Sequence, residues 1–219
     1  MKSVKLVSVI LCVMLSCKAQ DDQVPVNNVY STKTIGGGCD GCELLYVDMP
    51  KRINDVDTSA GWGTNDAQKL MVTGTIFKND GRTPAPDVIV YYWHTNSQGL
   101  YISRKRGKAK NHGDLKGWIK TNTMGRYCIY TSRPASYPKD SLPAHIHFAI
   151  KEPELPNEYY CEDIVFDDDP LLIPYLKRYP PANRCGSGTV RLLLKDDIRI
   201  AEHDIVLGLN IPNYPNTPK

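Results

Sequence analysis

Two histidines one residue apart, His145 and His147, lie in the segment Tyr137-Pro138-Lys139-Asp140-Ser141-Leu142-Pro143-Ala144-His145-Ile146-His147-Phe148. On a strand, alternate side chains share a face, so the two imidazoles lie side by side and can chelate one metal ion. The pair is weak evidence by itself, because polar strand faces also carry histidines for hydrogen bonding. The other donors narrow the choice of metal. Soft ligands are scarce: Cys128 stands alone, and none of His94, His112 and His203 has a second histidine beside it. Tyrosines number thirteen. A phenolate is a hard anionic oxygen donor suited to a strongly Lewis-acidic ion, and ferric iron can displace the phenol proton despite a free pKa of about 10. Two tyrosinates with two histidines make a chemically sensible ferric site. Spacing does not say which two tyrosines would serve.

Such a site needs strands to hold it. Sixteen glycines and sixteen prolines favour turns, short strands and loops over long helices. β-branched and aromatic residues cluster in Leu70–Phe77, Val88–Trp93, Trp118–Thr121, Arg126–Thr131, Ala144–Lys151, Val190–Leu194 and Arg199–Leu207. The first two, joined through Lys78-Asn79-Asp80-Gly81, read as a meander entering a sandwich. Pro170 to Arg178 is the one helix-like segment. The expected fold class is all-β, an antiparallel β-sandwich with long loops and little helix.

The amino-terminal residues place Lys2 and Lys5 before an apolar run from Leu6 to Leu15, too short to span a bilayer as a permanent helix. It reads as an export signal over 1–16. Leu15-Ser16-Cys17 resembles a bacterial lipobox, so Cys17 is a candidate lipid anchor. Residues 17–38 read as a tether or an arm on the domain, and 39–219 as the folded domain. The expected location is the periplasm or the outer membrane as a lipoprotein, plain secretion being the alternative. Loss of Lys2 and Lys5 lowers the formal net charge from +3 to +1. A near-neutral chain without a long basic and aromatic stretch makes a poor nucleic-acid binder. Export permits disulfides. Cys39-Asp40-Gly41-Cys42 has no second CxxC to complete a zinc site and reads as a local disulfide, while Cys161 and Cys185 are placed to pair and leave Cys128 as a buried thiol.

One family brings these residues together. Asp87-Val88-Ile89-Val90-Tyr91-Tyr92-Trp93-His94-Thr95-Asn96-Ser97-Gln98-Gly99-Leu100-Tyr101, then Gly117-Trp118, Thr121, Gly125-Arg126-Tyr127, Tyr137-Pro138, Pro143-Ala144-His145-Ile146-His147-Phe148 and Phe166-Asp167-Asp168-Asp169-Pro170-Leu171 follow the order seen in intradiol ring-cleavage dioxygenases. The resemblance covers roughly residues 70–210. It implies one Fe(III) held by Tyr101 as equatorial tyrosinate, Tyr137 as axial tyrosinate, and His145 and His147. It further implies a small aromatic diol and dioxygen as substrates: the catecholate displaces Tyr137, which then acts as a base, and the ring opens between its two oxygenated carbons. Oligomeric state is left open.

The chain departs from the pattern at Leu142, where well-known members carry an arginine close to the bound substrate, and the Tyr137–His145 stretch is shorter. Lys139 and Arg133 are the nearby cations, with exposed loop positions the plainer reading. The competing hypotheses are an exported catechol- or iron-binding module without turnover, and a transthyretin-like β module. Other residues take plainer roles: His94 as a strand-end hydrogen bonder, Trp93 and Trp118 as core, and Asp167-Asp168-Asp169 as a loop or turn instead of a calcium site.

Overall fold

A computed structural model describes residues 34–39, 41–64, 68–104, 107 and 111–215, all within one compact unit. The expected export signal, the candidate anchor Cys17 and the expected tether up to residue 33 lie outside the described residues. In chain order the strands are β1 (Val56–Thr58), β2 (Lys69–Phe77), β3 (Ile89–His94), β4 (Lys116–Lys120), β5 (Arg126–Ser132), β6 (His145–Lys151), β7 (Tyr159–Tyr160), β8 (Ile164–Phe166), β9 (Thr189–Val190), β10 (Leu192–Lys195), β11 (Ile198–Glu202) and β12 (Ile205–Val206). Among the described residues one α-helix, α1 (Leu172–Arg178), and 3-10 turns at Cys42–Tyr46 and Ala60–Gly63 complete the elements.

The strands form two sheets that make a sandwich. One runs β1-β5-β2-β11-β10 with β12 beside β2, and the other runs β4-β3-β6-β8-β9 with β7 beside β6. The all-β expectation holds, but both sheets are mixed: β1 on β5, β11 on β2, β12 on β2 and β9 on β8 are parallel. The meander expectation is corrected. The turn at 78–81 does form, with Gly81 N donating to Lys78 O and φ +67 at Gly81, and the chain reverses far enough for Pro84 to bridge Phe77. Pro84 and Pro86 have no N–H to continue a ladder. Pairing stops there, and β3 enters the opposite sheet.

Alternation along β6 decides which face carries the site. Ile146, Phe148 and Ile150 are buried in the core between the sheets, with Val90 and Tyr92 of β3. His145, His147 and Ala149 therefore face outward. Tyr91, Trp93 and Ala149 on that outer face pack with Cys42, Leu44 and Leu45 into a second apolar cluster. The amino-terminal segment thus covers the sheet's outer face instead of leaving it to water. Ahead of it, Ile35 is buried in the main core and Gly36 N donates to Pro212 O at 2.7 Å. Disulfides join Cys39 to Cys42 and Cys161 to Cys185. Cys128 is free, but only partly buried, because β5 turns this side chain away from the core that Tyr127 and Ile129 enter.

Candidate functional site

The site lies on the outer face of β6, where three loops meet. His145 begins the strand, and its start is fixed by Asp169, whose Oδ2 accepts Ala144 N at 2.8 Å while Oδ1 accepts Leu171 N at 2.9 Å. Asp168 forms a bidentate pair with Arg133, at 2.7 and 2.6 Å. The acidic triplet therefore serves the loop.

Tyr101 ends a loop built on Asn96, whose Oδ1 accepts Gln98 N and Leu100 N at 2.9 and 3.0 Å. Thr95 Oγ1 donates to Ala135 O at 2.6 Å and Ala135 N to Asn96 O at 3.1 Å, stitching this loop to the one that carries Tyr137. Gly99 sits between them with φ +74; a Cβ there would come within 2.0 Å of Ser136 O. Only glycine permits that approach. Beyond Tyr137 the shortened stretch closes through a tight turn, Asp140 N to Tyr137 O at 3.2 Å, with Lys139 at φ +66.

All four expected site residues meet at one point. Tyr101 Oη and Tyr137 Oη are 3.0 Å apart, Tyr101 Oη and His147 Nε2 3.1 Å, the two histidine Nε2 atoms 3.1 Å, and His145 Nε2 and Tyr137 Oη 3.3 Å. The other ring nitrogens are occupied. His145 Nδ1 donates to Pro143 O at 2.8 Å and His147 Nδ1 to Asp163 Oδ1 at 2.7 Å. Both ring protons therefore sit on Nδ1, and two Nε2 lone pairs face each other. Neutral imidazoles gain nothing from that contact; a cation between them resolves it. His145, His147 and Asp163 hold potential ligand atoms within 4.8 Å of one another. Asp163, however, sits on the Nδ1 side of His147, away from the Nε2 atoms, so it supports the ring from behind.

Burial shapes the protonation of these groups. It pushes both phenols up, Tyr101 the more strongly because Tyr137 adds to the effect through hydrogen bonding and charge, and it pushes His145 down, with His147 adding to the fall. Burial also works against the Asp163 carboxylate, but its place beside His147, from which it accepts a hydrogen bond, outweighs that and holds the carboxyl below its usual range.

The donors open onto a cleft of about 520 Å³ lined by Gly38, Cys39, Leu44, Trp93, His112 and Tyr160 among others. Trp93, directly opposite His147 in the β3–β6 register, stacks on its ring at 4.8 Å, and His112 stacks on Trp93 at 4.2 Å. Trp93 is thus buried as expected and is also a wall of the cleft. Trp118 is half-buried and donates to Leu45 O at 2.7 Å. His94 is buried in hydrogen bonds to Thr95 O and Thr131 Oγ1, away from the four donors. Lys139 is exposed, and Arg133 is turned over the Phe166 ring at 4.9 Å. Neither lines the cleft. Asp163 and Tyr160 escaped sequence reasoning; the available signal was the rule that a metal-binding histidine donates its second ring nitrogen to a carboxylate or carbonyl.

A family model described as Dioxygenase matches residues 45–179. Catechol 1,2-dioxygenase 1 of Acinetobacter lwoffii is 27% identical over 162 residues, 65% of this chain and 52% of that protein. The chain thus spans about half the length of that curated relative. Among solved structures, the dioxygenase domain of a dioxygenase–carbohydrate-binding protein fusion from the cellulolytic bacterium Streptomyces sp. SirexAA-E superposes with a TM-score of 0.55 at 21% identity, over 73% of this chain and 89% of that one. Hydroxyquinol 1,2-dioxygenase from Pseudomonas putida DLL-E4 gives 0.53 at 22% identity, over 72% and 61%. At these identities the structures speak for the fold.

Proposed function

The chain belongs to the intradiol dioxygenase family, and from that premise we propose that it holds ferric iron through Tyr101, Tyr137, His145 and His147 and cleaves a catechol-type ring between its two hydroxylated carbons with dioxygen. The observation that carries the proposal is the closed circuit of four donor atoms at 3.0–3.3 Å. Donors bound at about 2 Å to one ion are separated by such distances. Two hard oxygens with two imidazoles suit Fe(III). A ferric ion held by these four residues would supply Lewis acidity and electron-accepting power that make a diol ring reactive toward dioxygen.

The protein groups then divide the work. Tyr137, on a loop flanked by exposed Pro138 and Lys139, serves as the base whose Oη takes a hydroxyl proton from the diol. Tyr101, packed against the outer apolar cluster, stays in place. Trp93 and Leu44 offer apolar faces to the ring, and the cleft has room for a single-ring diol. Leu142, in the loop position where well-known family members carry an arginine, favours as a second reading a module that binds iron and catechol without turnover.

The deciding test combines two measurements on protein loaded with ferric iron: visible absorption before and after anaerobic catechol, and oxygen uptake when air is admitted. A tyrosinate charge-transfer band that moves to longer wavelength, followed by one dioxygen consumed per ring opened, is the expected outcome. A shift without uptake supports the binding module; a colourless protein refutes both readings. The leader adds a proposal of export and lipidation at Cys17, which Cys17→Ala should convert from membrane-bound to soluble on fractionation; a wild-type chain found only in soluble fractions refutes it.

A further inference from the structure

His145 and His147 look alike in sequence but are supported differently. Behind His145 stands a neutral carbonyl, Pro143 O, at 2.8 Å. Behind His147 stands a carboxylate, Asp163, at 2.7 Å, its side chain only 23% exposed. Holding a carboxylate away from water is costly unless it is paired and hydrogen-bonded. Asp163 meets both conditions, because Tyr160 Oη donates to the same Oδ1 that His147 uses. Tyr160 sits on β7 opposite Ala149, two residues along β6 from His147, so the register delivers its hydroxyl to that point. The clamp is braced in turn. Arg184 lies over the Tyr160 ring at 5.8 Å and donates to Gly36 O at 2.7 Å. Tyr160 and Arg184 are neighbours of Cys161 and Cys185, so the disulfide ties their two segments together.

We infer that Asp163, held by Tyr160, is a positioning residue that fixes the His147 ring and strengthens its Nε2 as a donor, making His147 the stronger of two unequal nitrogen ligands. A full negative charge on the Nδ1–H pushes electron density toward Nε2, which a peptide carbonyl does less well. The inference rests on the ferric site proposed above.

The test loads ferric ion into the wild-type chain, Asp163→Asn and Tyr160→Phe, and reads iron retention by chelator competition together with the energy of the tyrosinate band. Asparagine keeps the size of the side chain and removes its charge. Iron should be held about 10- to 100-fold less tightly in Asp163→Asn. Its band should move to longer wavelength, since a weaker imidazole leaves the iron a stronger acceptor, while the thermal midpoint of the iron-free protein stays near that of the wild type. Tyr160→Phe, which keeps the ring beneath Arg184 and loses only the hydroxyl, should show smaller changes in the same direction and decides the matter if the asparagine variant does not fold. Retention within about twofold of wild type with an unmoved band overturns the inference and leaves the iron site standing. A wild-type chain that takes up no ferric ion overturns both.

Discussion

Gly99 and Ser136 are in backbone contact: a methyl group on Gly99 would lie 2.0 Å from the Ser136 carbonyl oxygen. This contact brings the loop ending in Tyr101 against the loop leading to Tyr137, and so sets the 3.0 Å between their hydroxyls. Gly99→Ala must move one loop and must also hold alanine at φ +74, which alone costs about 1–2 kcal/mol. The expected result is a folded chain with a modestly lowered thermal midpoint and a severe loss of bound ferric iron, read by denaturation and metal analysis on the same samples. Retention of a full iron complement would mean that the two tyrosines do not depend on this contact.

The two tyrosines should fail differently. Tyr137→Phe removes the base and should lower kcat by about 10²–10⁴-fold while leaving a charge-transfer band from Tyr101. Tyr101→Phe removes the better-packed oxygen and should cost iron retention first. Equal behaviour in stopped-flow turnover and in iron content would count against the division of roles.

The buried histidines set the acid limit of the iron-free fold, His145 among them, its imidazole also pushed down by burial. Burial pushes His94, His112 and His203 down to about 4, from an unfolded value near 6.5. Each is neutral when folded, so between those values the unfolded chain binds more protons, and stability falls as pH drops from 6.5 toward 4. The slope is about 1.4 kcal/mol per pH unit for each histidine fully charged in the unfolded chain. Thermal midpoints of iron-free protein should therefore be level above pH 7 and decline steeply below pH 6. A flat profile down to pH 4.5 would show that these imidazoles can charge without unfolding.

Arg133 is a cation near the site in sequence and away from it in space. Its bidentate pair with Asp168 is half open to water on the carboxylate side, with exposures of 17% and 49%, so Arg133→Met should cost only about 1 kcal/mol. Turnover should be unchanged. A large fall in kcat with an intact thermal midpoint would return Arg133 to the chemistry.

Of the four candidate donors, His145 and His147 were legible in the sequence because strand alternation faces them the same way; Tyr101 and Tyr137 came only from the family resemblance, since spacing singles out no pair among thirteen tyrosines. The main strands were legible as runs of β-branched and aromatic residues. What was hidden depends on partners distant in the chain. β1, β7 and β8 are only two or three residues long and exist because β5 and β6 offer them edges. The crossing between β2 and β3 turned on Pro84 and Pro86, whose missing N–H groups outweighed the turn-forming Asn79-Asp80-Gly81. Asp163 reads as one acid among several until β6 and β7 bring it to His147.

Gly36 N reaches Pro212 O, and Asn213 Nδ2 reaches Thr34 O at 3.0 Å, so the described chain enters and leaves the fold side by side. A short polar linker could close it into a ring, and the ring could be reopened at the exposed Asn79–Gly81 turn, away from the residues lining the cleft. The fold thus offers itself to circular permutation, with the loops of the candidate site left in their order and the new ends free for display or immobilisation.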